Sequence, residues 1–250
     1  MNLFGAPSNT LCLDFGNSRY KCAVMSKDKV VEERVLNEEN ITGDIQSIID
    51  EFKPKNAVLS SVIEHDKGIE ELLQQHTKFH LVTHESNLPI TVPSKNAAPT
   101  VGADRWAMLM AAISQYPKQH NLIIGLGSCI TYNFINKFNE FLGGSISPGL
   151  YMRMKSMNQF TAKLPLIDPE WNFPLVGYDT KTNIQSGVIL GMSKEIDGVI
   201  DLYKEKYSKF NVLLTGGDAS FFLPHLKNKI FADPYLIYKG LYAISKINSK

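Results

Sequence analysis

Asp14 stands where a carboxylate could serve phosphate chemistry. It closes an apolar run, residues 11–15, and is followed by Gly16-Asn17-Ser18. Gly16 can adopt positive φ and lets a phosphate approach the backbone, and exposed N–H groups in such a turn form an anion-binding concavity. Mg²⁺ takes carboxylate oxygens directly or through water, so Asp14 is also a candidate metal ligand. The alternative is an ordinary strand-ending hairpin in which Asp14 caps its own turn.

A second carboxylate, Asp104, lies in the sequence Gly102-Ala103-Asp104-Arg105. Apolar residues at helical spacing follow as far as Pro117, which predicts a helix with Asp104 in its first turn. The helix dipole favours an ionised carboxylate there, so Asp104 is a candidate to accept a hydroxyl proton. Arg105 offers a fork-shaped donor for a carboxylate or phosphate. The alternative is a capping aspartate beside a surface arginine.

Two further glycine turns follow predicted strands. Residues 143–149 carry two glycines and end in Pro148-Gly149, and Gly216-Gly217 follows the apolar run 212–215. Such turns bring a ligand close to the backbone or to a helix N-terminus, although each is also compatible with a plain tight connection. Neither turn has the fingerprint of a Rossmann fold or a P-loop, which excludes both classes.

Composition narrows the function further. The chain has 250 residues and a net charge of +1, with no basic stripe of the kind that binds nucleic acid. We expect no membrane partner, because no apolar run approaches the roughly 20 residues of a spanning helix, and residues 1–10 do not resemble a signal peptide. The three cysteines, Cys12, Cys22 and Cys129, are expected to be buried thiols, which favours the cytoplasm. The histidines do not cluster as metal ligands and are interpreted as surface or structural residues.

The pattern of elements indicates an α/β protein built from a duplicated unit. Apolar runs predict strands at 11–15, 20–25, 30–36, 57–62, 79–83, 122–124, 130–134, 140–146 and 212–215. Helical spacing predicts helices at 41–52, 68–75, 150–160, 184–207 and 235–247, besides the one that contains Asp104.

The order strand, glycine turn and two more strands occurs twice. Residues 13–18 and 123–128 occupy the same place in each copy. We therefore predict two domains, 1–116 and 117–250, with a nucleotide cleft between them.

These motifs, in this order, resemble the type III pantothenate kinases of the actin/sugar-kinase superfamily. The resemblance covers nearly the whole chain. It rests on Asp14-x-Gly16-Asn17-Ser18, Ser60-Ser61-Val62, Gly102-x-Asp104-Arg105, Gly143-Gly144-x-Ile146-x-Pro148-Gly149, Thr161-Ala162-x-Leu164-Pro165, Asp179-Thr180-x-x-x-Ile184-Gln185-Ser186-Gly187 and Thr215-Gly216-Gly217-Asp218-Ala219.

The resemblance implies two ribonuclease-H-like domains and transfer of the ATP γ-phosphoryl group to pantothenate, the first step toward coenzyme A. It also implies a homodimer that uses Mg²⁺ and a monovalent cation, K⁺ or NH₄⁺. Asp104 is then the general base, Asp14 serves Mg²⁺, and Gly102, Arg105 and Thr180 bind pantothenate. The residues implied for ATP are Asp14, Gly16, Asn17, Ser18, Ser128, Gly216 and Gly217.

The second-half turn departs from the family pattern. Gly125 and Asn133 replace two aspartates of the pattern D-x-G-T-A-x-T-x-D, while Ser128 keeps a hydroxyl for phosphate. A tyrosine expected before Gly102 is also missing from residues 95–99. Two alternatives therefore stay open: a kinase of another small hydroxylated metabolite, and a catalytically weak homologue that binds nucleotide as a regulator.

Overall fold

The computed structural model describes residues 8–93 and 98–248. Most of the segment 1–10, interpreted as lacking a signal peptide, lies outside the described residues, as does most of the segment 95–99. Within the described ranges, no helix combines the length and the apolar character that a membrane span requires.

The first of two mixed sheets uses the N-terminal strands. The elements are β1 (Thr10–Phe15), β2 (Tyr20–Ser26), β3 (Lys29–Val35), α1 (Ile41–Phe52), β4 (Asn56–Ser61), α2 (Lys67–His76), β5 (Lys78–Leu81), a 3₁₀ turn (Ala98–Thr100) and α3 (Ala103–Gln115). The strand order is β3-β2-β1-β4-β5, with β1 antiparallel to β2 and parallel to β4. Consecutive residues of β1 are buried, as expected of a central strand covered on both faces.

The second sheet repeats this arrangement. Its elements are β6 (Asn121–Leu126), β7 (Cys129–Ile135), β8 (Phe141–Pro148), α4 (Leu150–Gln159), α5 (Thr180–Gln185), a π-helical segment (Ser186–Leu190), α6 (Gly191–Lys206), β9 (Asn211–Thr215), α7 (Ala219–Phe222), a 3₁₀ turn (Leu223–His225), β10 (Phe231–Ala232) and α8 (Leu236–Asn248). The strand order is β10-β9-β6-β7-β8, and β6 is parallel to β9. Counted from the start of each half, both sheets have the order 3-2-1-4-5, which confirms the predicted duplication and fold class.

The chain forms two compact units, and one of them includes two segments from the second half of the sequence. One unit contains the residues up to 118 together with 135–142 and those from 235 onward; the other contains 119–134 and 143–234. The sequence analysis assigned 135–142 and the residues from 235 onward to the C-terminal domain, 117–250. Its predicted boundary after residue 116 is close to residue 118, where the first stretch of that unit ends.

Contacts within the first unit explain both segments. The backbone N–H of Phe141 donates to the Thr91 carbonyl at 2.8 Å, and its ring lies 6.2 Å from that of Trp106. Helix α8 packs on α3 and β1. A Cβ on Gly240 would lie only 1.8 Å from the Ala107 carbonyl oxygen, so glycine is what lets the two helices touch.

Most predicted elements are confirmed, and the differences have local causes. The predicted helix 184–207 begins earlier, at Thr180, and contains the π-helical segment Ser186–Leu190. The strand β10 was not predicted, because two residues are too short to show a period, whereas the helix expected after Gly216-Gly217 is present as the four-residue α7. The three cysteines are free thiols; Cys12 and Cys22 are buried as predicted, whereas Cys129 is half-buried.

Candidate active site

Asp14 lies on the central strand of the first sheet, facing two polar neighbours. In the strand register it stands opposite Lys21 on β2 and Ser60 on β4. Burial and, to a smaller extent, the negative charge of Asp104 raise the pKa of Asp14 to about 7 against the opposing effects of Lys21 and the Ser60 hydroxyl. The Ser60 hydroxyl is buried and makes no hydrogen bond of standard geometry within the described ranges. The first unit thus brings two predicted site residues, Asp14 and Asp104, into electrostatic contact.

Asp104 occupies the first turn of α3, two residues after the N-cap Gly102. Burial raises its pKa, and the N–H and the positive charge of Arg105 only partly offset this. The sequence analysis considered only the helix dipole, whereas loss of solvation shifts the pKa of Asp104 in the opposite direction. A carboxyl with a raised pKa is better matched to accepting a proton near neutral pH.

Gly102 makes room for the Asp104 carboxyl group. A Cβ at position 102 would lie 2.5 Å from Oδ1 of Asp104, and 3.5 Å from Cγ1 of Val62. Any other residue would push the carboxyl group away from the start of α3. This is a structural reason for glycine; direct contact of Gly102 with substrate stays a prediction.

Arg105 is half-buried, unlike the surface arginine of the alternative interpretation. Its Cζ lies 5.4 Å from the centre of the Phe141 ring, a cation–π geometry. Burial lowers its pKa and Asp104 raises it. The guanidinium is therefore held beside the Asp104 carboxyl group by an aromatic surface.

The turn after Asp14 leaves two polar residues in solvent. The Gly16 N–H donates to the Arg19 carbonyl at 3.2 Å, and Asn17 and Ser18 are exposed. Gly16 does not have positive φ, and a Cβ there would meet the Arg19 oxygen at an ordinary 3.6 Å. The expectation that this turn uses the left-handed freedom of Gly16 is thus wrong, because the chain turns without it.

In the second unit, two glycine turns pack backbone to backbone on the turn after β6. A Cβ on Gly149 would lie 2.1 Å from the Gly127 oxygen, and one on Gly216 would lie 2.2 Å from the Leu126 oxygen. Gly216 also has φ of +102°, which L side chains rarely adopt. The Gly149 N–H donates to the Ser128 carbonyl at 3.0 Å. Two separate glycine motifs therefore converge on residues 126–128.

Gly217 differs from its neighbour Gly216. No atom lies within 4 Å of the Cβ that a side chain would add, and its φ is not positive. Within the described part of the chain, neither packing nor backbone geometry requires glycine here. The open space beside Gly217 is what a ligand that approaches the backbone would need.

The two replaced positions of the second unit carry no carboxylate. Gly125 stands opposite Thr215 in the register of β6 and β9. Asn133 is fully buried, and its Nδ2 donates to Thr131 Oγ1 at 3.2 Å and to the Ile123 carbonyl at 3.4 Å. The backbone N–H of Asp218 donates to the Leu126 carbonyl at 3.2 Å, which brings one acidic residue next to this turn. Across 8–93 and 98–248, no group of three or more His, Cys, Asp or Glu is arranged to hold a metal ion.

Thr180 is exposed at the first position of α5. The preceding Asp179 caps the helix: its carboxylate accepts from the Thr182 N–H at 2.8 Å, while Thr182 Oγ1 accepts from the Asp179 N–H at 3.2 Å. This capping box fixes where α5 begins. The sequence analysis quoted this segment but missed the capping role of Asp179.

A further group near the first turn was missed because His65 was interpreted as a structural histidine. Its Nδ1 lies 3.1 Å from Ser61 Oγ and its Nε2 lies 3.0 Å from Glu70 Oε1. The sequence offered one indication of this contact, the positions of the two residues. His65 directly precedes Asp66, the N-cap of α2, and Glu70 lies in the first turn of that helix.

Comparison with known proteins decides the family. The type III pantothenate kinase family model matches residues 10–202, most of the chain. The chain belongs to that family. A type III pantothenate kinase of Flavobacterium johnsoniae is 38% identical over 233 residues, covering 92% of this chain and 95% of the relative. One from Bacteroides fragilis is 37% identical over 243 residues, covering 96% and 98%.

Solved structures support the fold alone. A Campylobacter jejuni protein described as a Baf family transcriptional activator superposes with a TM-score of 0.61 at 22% identity, covering 94% of this chain and 97% of that one. The activator of 2-hydroxyisocaproyl-CoA dehydratase from Clostridium difficile, solved with bound ADPNP, superposes with a TM-score of 0.52 at 11% identity, covering 96% and 95%. Both agree with the actin/sugar-kinase architecture of this type III pantothenate kinase family member.

Proposed function

We propose that this protein transfers the γ-phosphoryl group of ATP to the primary hydroxyl of pantothenate, the first step of coenzyme A biosynthesis. The observation that carries the proposal is the pair of half-buried carboxylates, Asp14 and Asp104, whose pKa values are both raised by desolvation within one unit. Relatives named for this activity match over almost their whole length, and this supports the choice of substrate.

Asp104 is proposed to take the proton of the attacking hydroxyl. Its raised pKa favours proton acceptance near neutral pH, and Gly102 leaves its carboxyl group room at the start of α3. Arg105, held against Phe141, binds the pantothenate carboxylate through its guanidinium fork, with Thr180 and Gly102 as further contacts. Since phosphoryl transfer depends mainly on positioning and charge stabilisation, these residues act chiefly by holding the hydroxyl in place.

The nucleotide is proposed to contact glycine turns of both units. Asn17 and Ser18 offer exposed donors beside the Gly16 backbone, and Ser128, Gly216 and Gly217 serve the second unit. The free space beside Gly217 supports an approach of phosphate to the backbone there.

Mg²⁺ fits the Asp14 end of the site. Burial and the charge of Asp104 both raise the pKa of Asp14, and a divalent cation would compensate this concentration of negative charge. Asp14 would hold the ion, directly or through water. When bound, Mg²⁺ neutralises phosphate charge during transfer.

The residues present do not fit the monovalent cation that the family resemblance implies. Gly125 offers no side-chain ligand, and the Asn133 amide group is already engaged with its own sheet. No step is assigned to K⁺ or NH₄⁺ here. We expect turnover with Na⁺ or an organic cation to stay within about twofold of turnover with K⁺.

A homodimer is proposed from the apolar surface of the second unit. Several large apolar side chains within 142–178 are exposed, among them Phe160 at 81%, Val176 at 81% and Tyr178 at 80%. Exposure on this scale is typical of an interaction surface. Sedimentation analysis would test it, since a monomer at micromolar concentration contradicts the proposal. A cytoplasmic location is proposed because the protein consumes ATP and carries free thiols.

The direct test of function is ADP release from ATP, Mg²⁺ and pantothenate, with and without K⁺, beside Asp104→Asn. We expect kcat of the variant to fall by about 10²- to 10⁴-fold, with ATP affinity within about twofold of wild type. The matched control is Asp44→Asn, the same change in the first turn of α1. Turnover in Asp104→Asn comparable to wild type would remove Asp104 as the base.

The two remaining hypotheses give different outcomes in the same assay. A wild-type protein that binds ATP and turns over no substrate supports the regulator, which Gly125 favours. Turnover with other hydroxylated acids but not with pantothenate supports a related kinase.

A further inference from the structure

We propose that Glu70, His65 and Ser61 form a positioning link that holds the phosphate turn and the start of the catalytic helix in register. The inference rests on the proposed function. None of the three side chains is assigned a contact with substrate. They act through the loop that joins β4 to α2.

The link is a continuous chain of hydrogen bonds within the first unit. Glu70 Oε1 lies 3.0 Å from His65 Nε2, and His65 Nδ1 lies 3.1 Å from Ser61 Oγ. Ser61 Oγ in turn donates to the Ile63 carbonyl at 2.8 Å. The side chain of His65 is only 11% exposed and that of Glu70 27%, so water competes weakly for these bonds.

The available donors and acceptors determine the direction of the hydrogen bonds that link Glu70, His65 and Ser61. The Ser61 hydroxyl proton is committed to the Ile63 carbonyl, so Ser61 Oγ accepts from His65 Nδ1. The Glu70 carboxylate can only accept a hydrogen bond, so the N–H at Nε2 is the donor to it. Both contacts are satisfied at once when Nδ1 and Nε2 each carry a proton, so each end of the ring is held by a separate element of the fold.

The same accounting excludes a hydrolytic triad. In such a triad the serine hydroxyl donates to the histidine, which then removes its proton. Here Ser61 donates to a backbone carbonyl and is the acceptor of His65. The Ser-His-Glu set is thus a fixed support rather than an activated nucleophile.

The position of the link along the chain explains its mechanical effect. Asp66 caps α2 by accepting from the Gly68 N–H at 2.9 Å, so His65 is the residue before the cap and Glu70 the fourth helical residue. A contact between these two positions fixes the angle at which a chain enters its helix. Apolar side chains usually make it, whereas here a charged hydrogen bond does.

The loop controlled in this way touches both parts of the site. The Val62 N–H donates to the Phe15 carbonyl at 3.0 Å, immediately before the phosphate turn. Val62 Cγ1 is 3.5 Å from the position of a Cβ on Gly102, the residue that accommodates Asp104. The His65 ring meets the Phe15 ring edge-on, with centroids 5.8 Å apart. A shift of this loop would displace Asp104 relative to the turn after Asp14, and displacements near 1 Å can cost about 10²-fold in rate.

The test compares His65→Ala with His65→Asn and with a matched control. The control is His80→Ala on β5, which removes another histidine–serine hydrogen bond of the same unit, from His80 Nε2 to Ser86 Oγ at 2.9 Å. We expect His65→Ala to lower kcat about tenfold and to weaken Mg²⁺–ATP binding a few-fold, while the KM for pantothenate stays within about twofold. His65→Asn, whose amide nitrogen replaces Nδ1, should recover part of kcat. His80→Ala should lower the melting temperature while leaving kcat unchanged.

A purely structural role gives a different result. If His65→Ala lowers the melting temperature as His80→Ala does and keeps wild-type kcat and ATP affinity, the positioning link is overturned. Failure of the proposed function would show instead in the wild-type protein, as absence of pantothenate-dependent turnover. In that case ATP affinity decides: weaker binding in His65→Ala but not in His80→Ala supports the link, and equal binding in the two variants overturns it.

Discussion

The turns after β1 and after β6 occupy the same place in the two halves of the duplicated fold but are held by different interactions. The turn after β1 is organised by charged side chains: Asp14 stands opposite Lys21 and beside Asp104. The turn after β6 is organised by the backbone, with Gly149 and Gly216 in close contact with residues 126–128. The two halves share their topology, but Gly125 offers no carboxylate at the end of β6, where Asp14 lies near the end of β1.

This difference separates what each turn can do. Buried ionisable groups shift their pKa values and can hold a cation or exchange a proton. A backbone turn offers fixed N–H dipoles and open space, which suit the binding of phosphate without chemistry. We therefore expect changes in the first turn to affect turnover and changes in the second to affect folding and nucleotide affinity.

The largest expected effect is on kcat, and a single assay compares a substitution in each of the two turns. Asp14→Asn should lower kcat about 10³-fold, because a neutral amide would hold Mg²⁺ poorly and the phosphate charge would be left uncompensated. Ser128→Ala should raise the KM for ATP about tenfold and leave kcat nearly unchanged, since one neutral hydrogen bond is lost. Steady-state kinetics at saturating and limiting ATP would measure both. Equal losses of kcat would contradict the assignment of chemistry to the first unit.

A smaller effect separates the adjacent glycines of the second unit. Gly216→Ala should lower the free energy of unfolding by about 3 kcal/mol, because it forces positive φ on alanine and overlaps the Leu126 backbone. Gly217→Ala should change stability by less than about 1 kcal/mol, because the space is open, yet weaken ATP binding. Urea denaturation and ATP titration would test the pair. Tight ATP binding by a stable Gly217→Ala protein would remove Gly217 from the nucleotide site.

The smallest expected effect concerns the stability of the charged turn as a function of pH. The folded-state pKa of Asp14 is about 7 against an ordinary value of 3.8, so the folded protein is destabilised as pH rises from 3.8 to 7, and fully above 7. Asp14→Asn should therefore raise the free energy of unfolding at pH 8 by about 2 kcal/mol, roughly half of what the full shift corresponds to because solvent screens this half-buried carboxyl, and by almost nothing near pH 4.

Thermal unfolding of both proteins at the two pH values, without ATP or Mg²⁺, is the measurement. Asp44→Asn, the same change at an exposed aspartate of α1, is the control for the substitution itself. A stability gain for Asp14→Asn that is equal at pH 4 and pH 8 would contradict a buried, ionising Asp14.

Local features of the chain were sufficient for the elements and for the residue types of the site. Periodicity predicted α1 with its observed bounds, and glycine turns marked where phosphate could approach. The shared order of motifs also predicted the family. These features depend on neighbours a few positions apart, so a single sequence carries them.

Contacts between distant residues were beyond this kind of analysis. The sequence suggested an ionised Asp104 at a helix start, but burial by the surrounding fold raises its pKa instead. It suggested conformational freedom as the reason for Gly16, whereas close contact is the reason at Gly102, Gly149 and Gly240.

The sequence by itself determined which elements form, that they are duplicated, and which residues are chemically able to act. Only the tertiary structure decided that Asp14 and Asp104 share one buried environment, that α8 returns to the first unit, and that His65 joins Glu70 to Ser61. The physical reason is that solvation and close packing are set by residues far apart in the chain, whereas propensity and periodicity are set by residues close together.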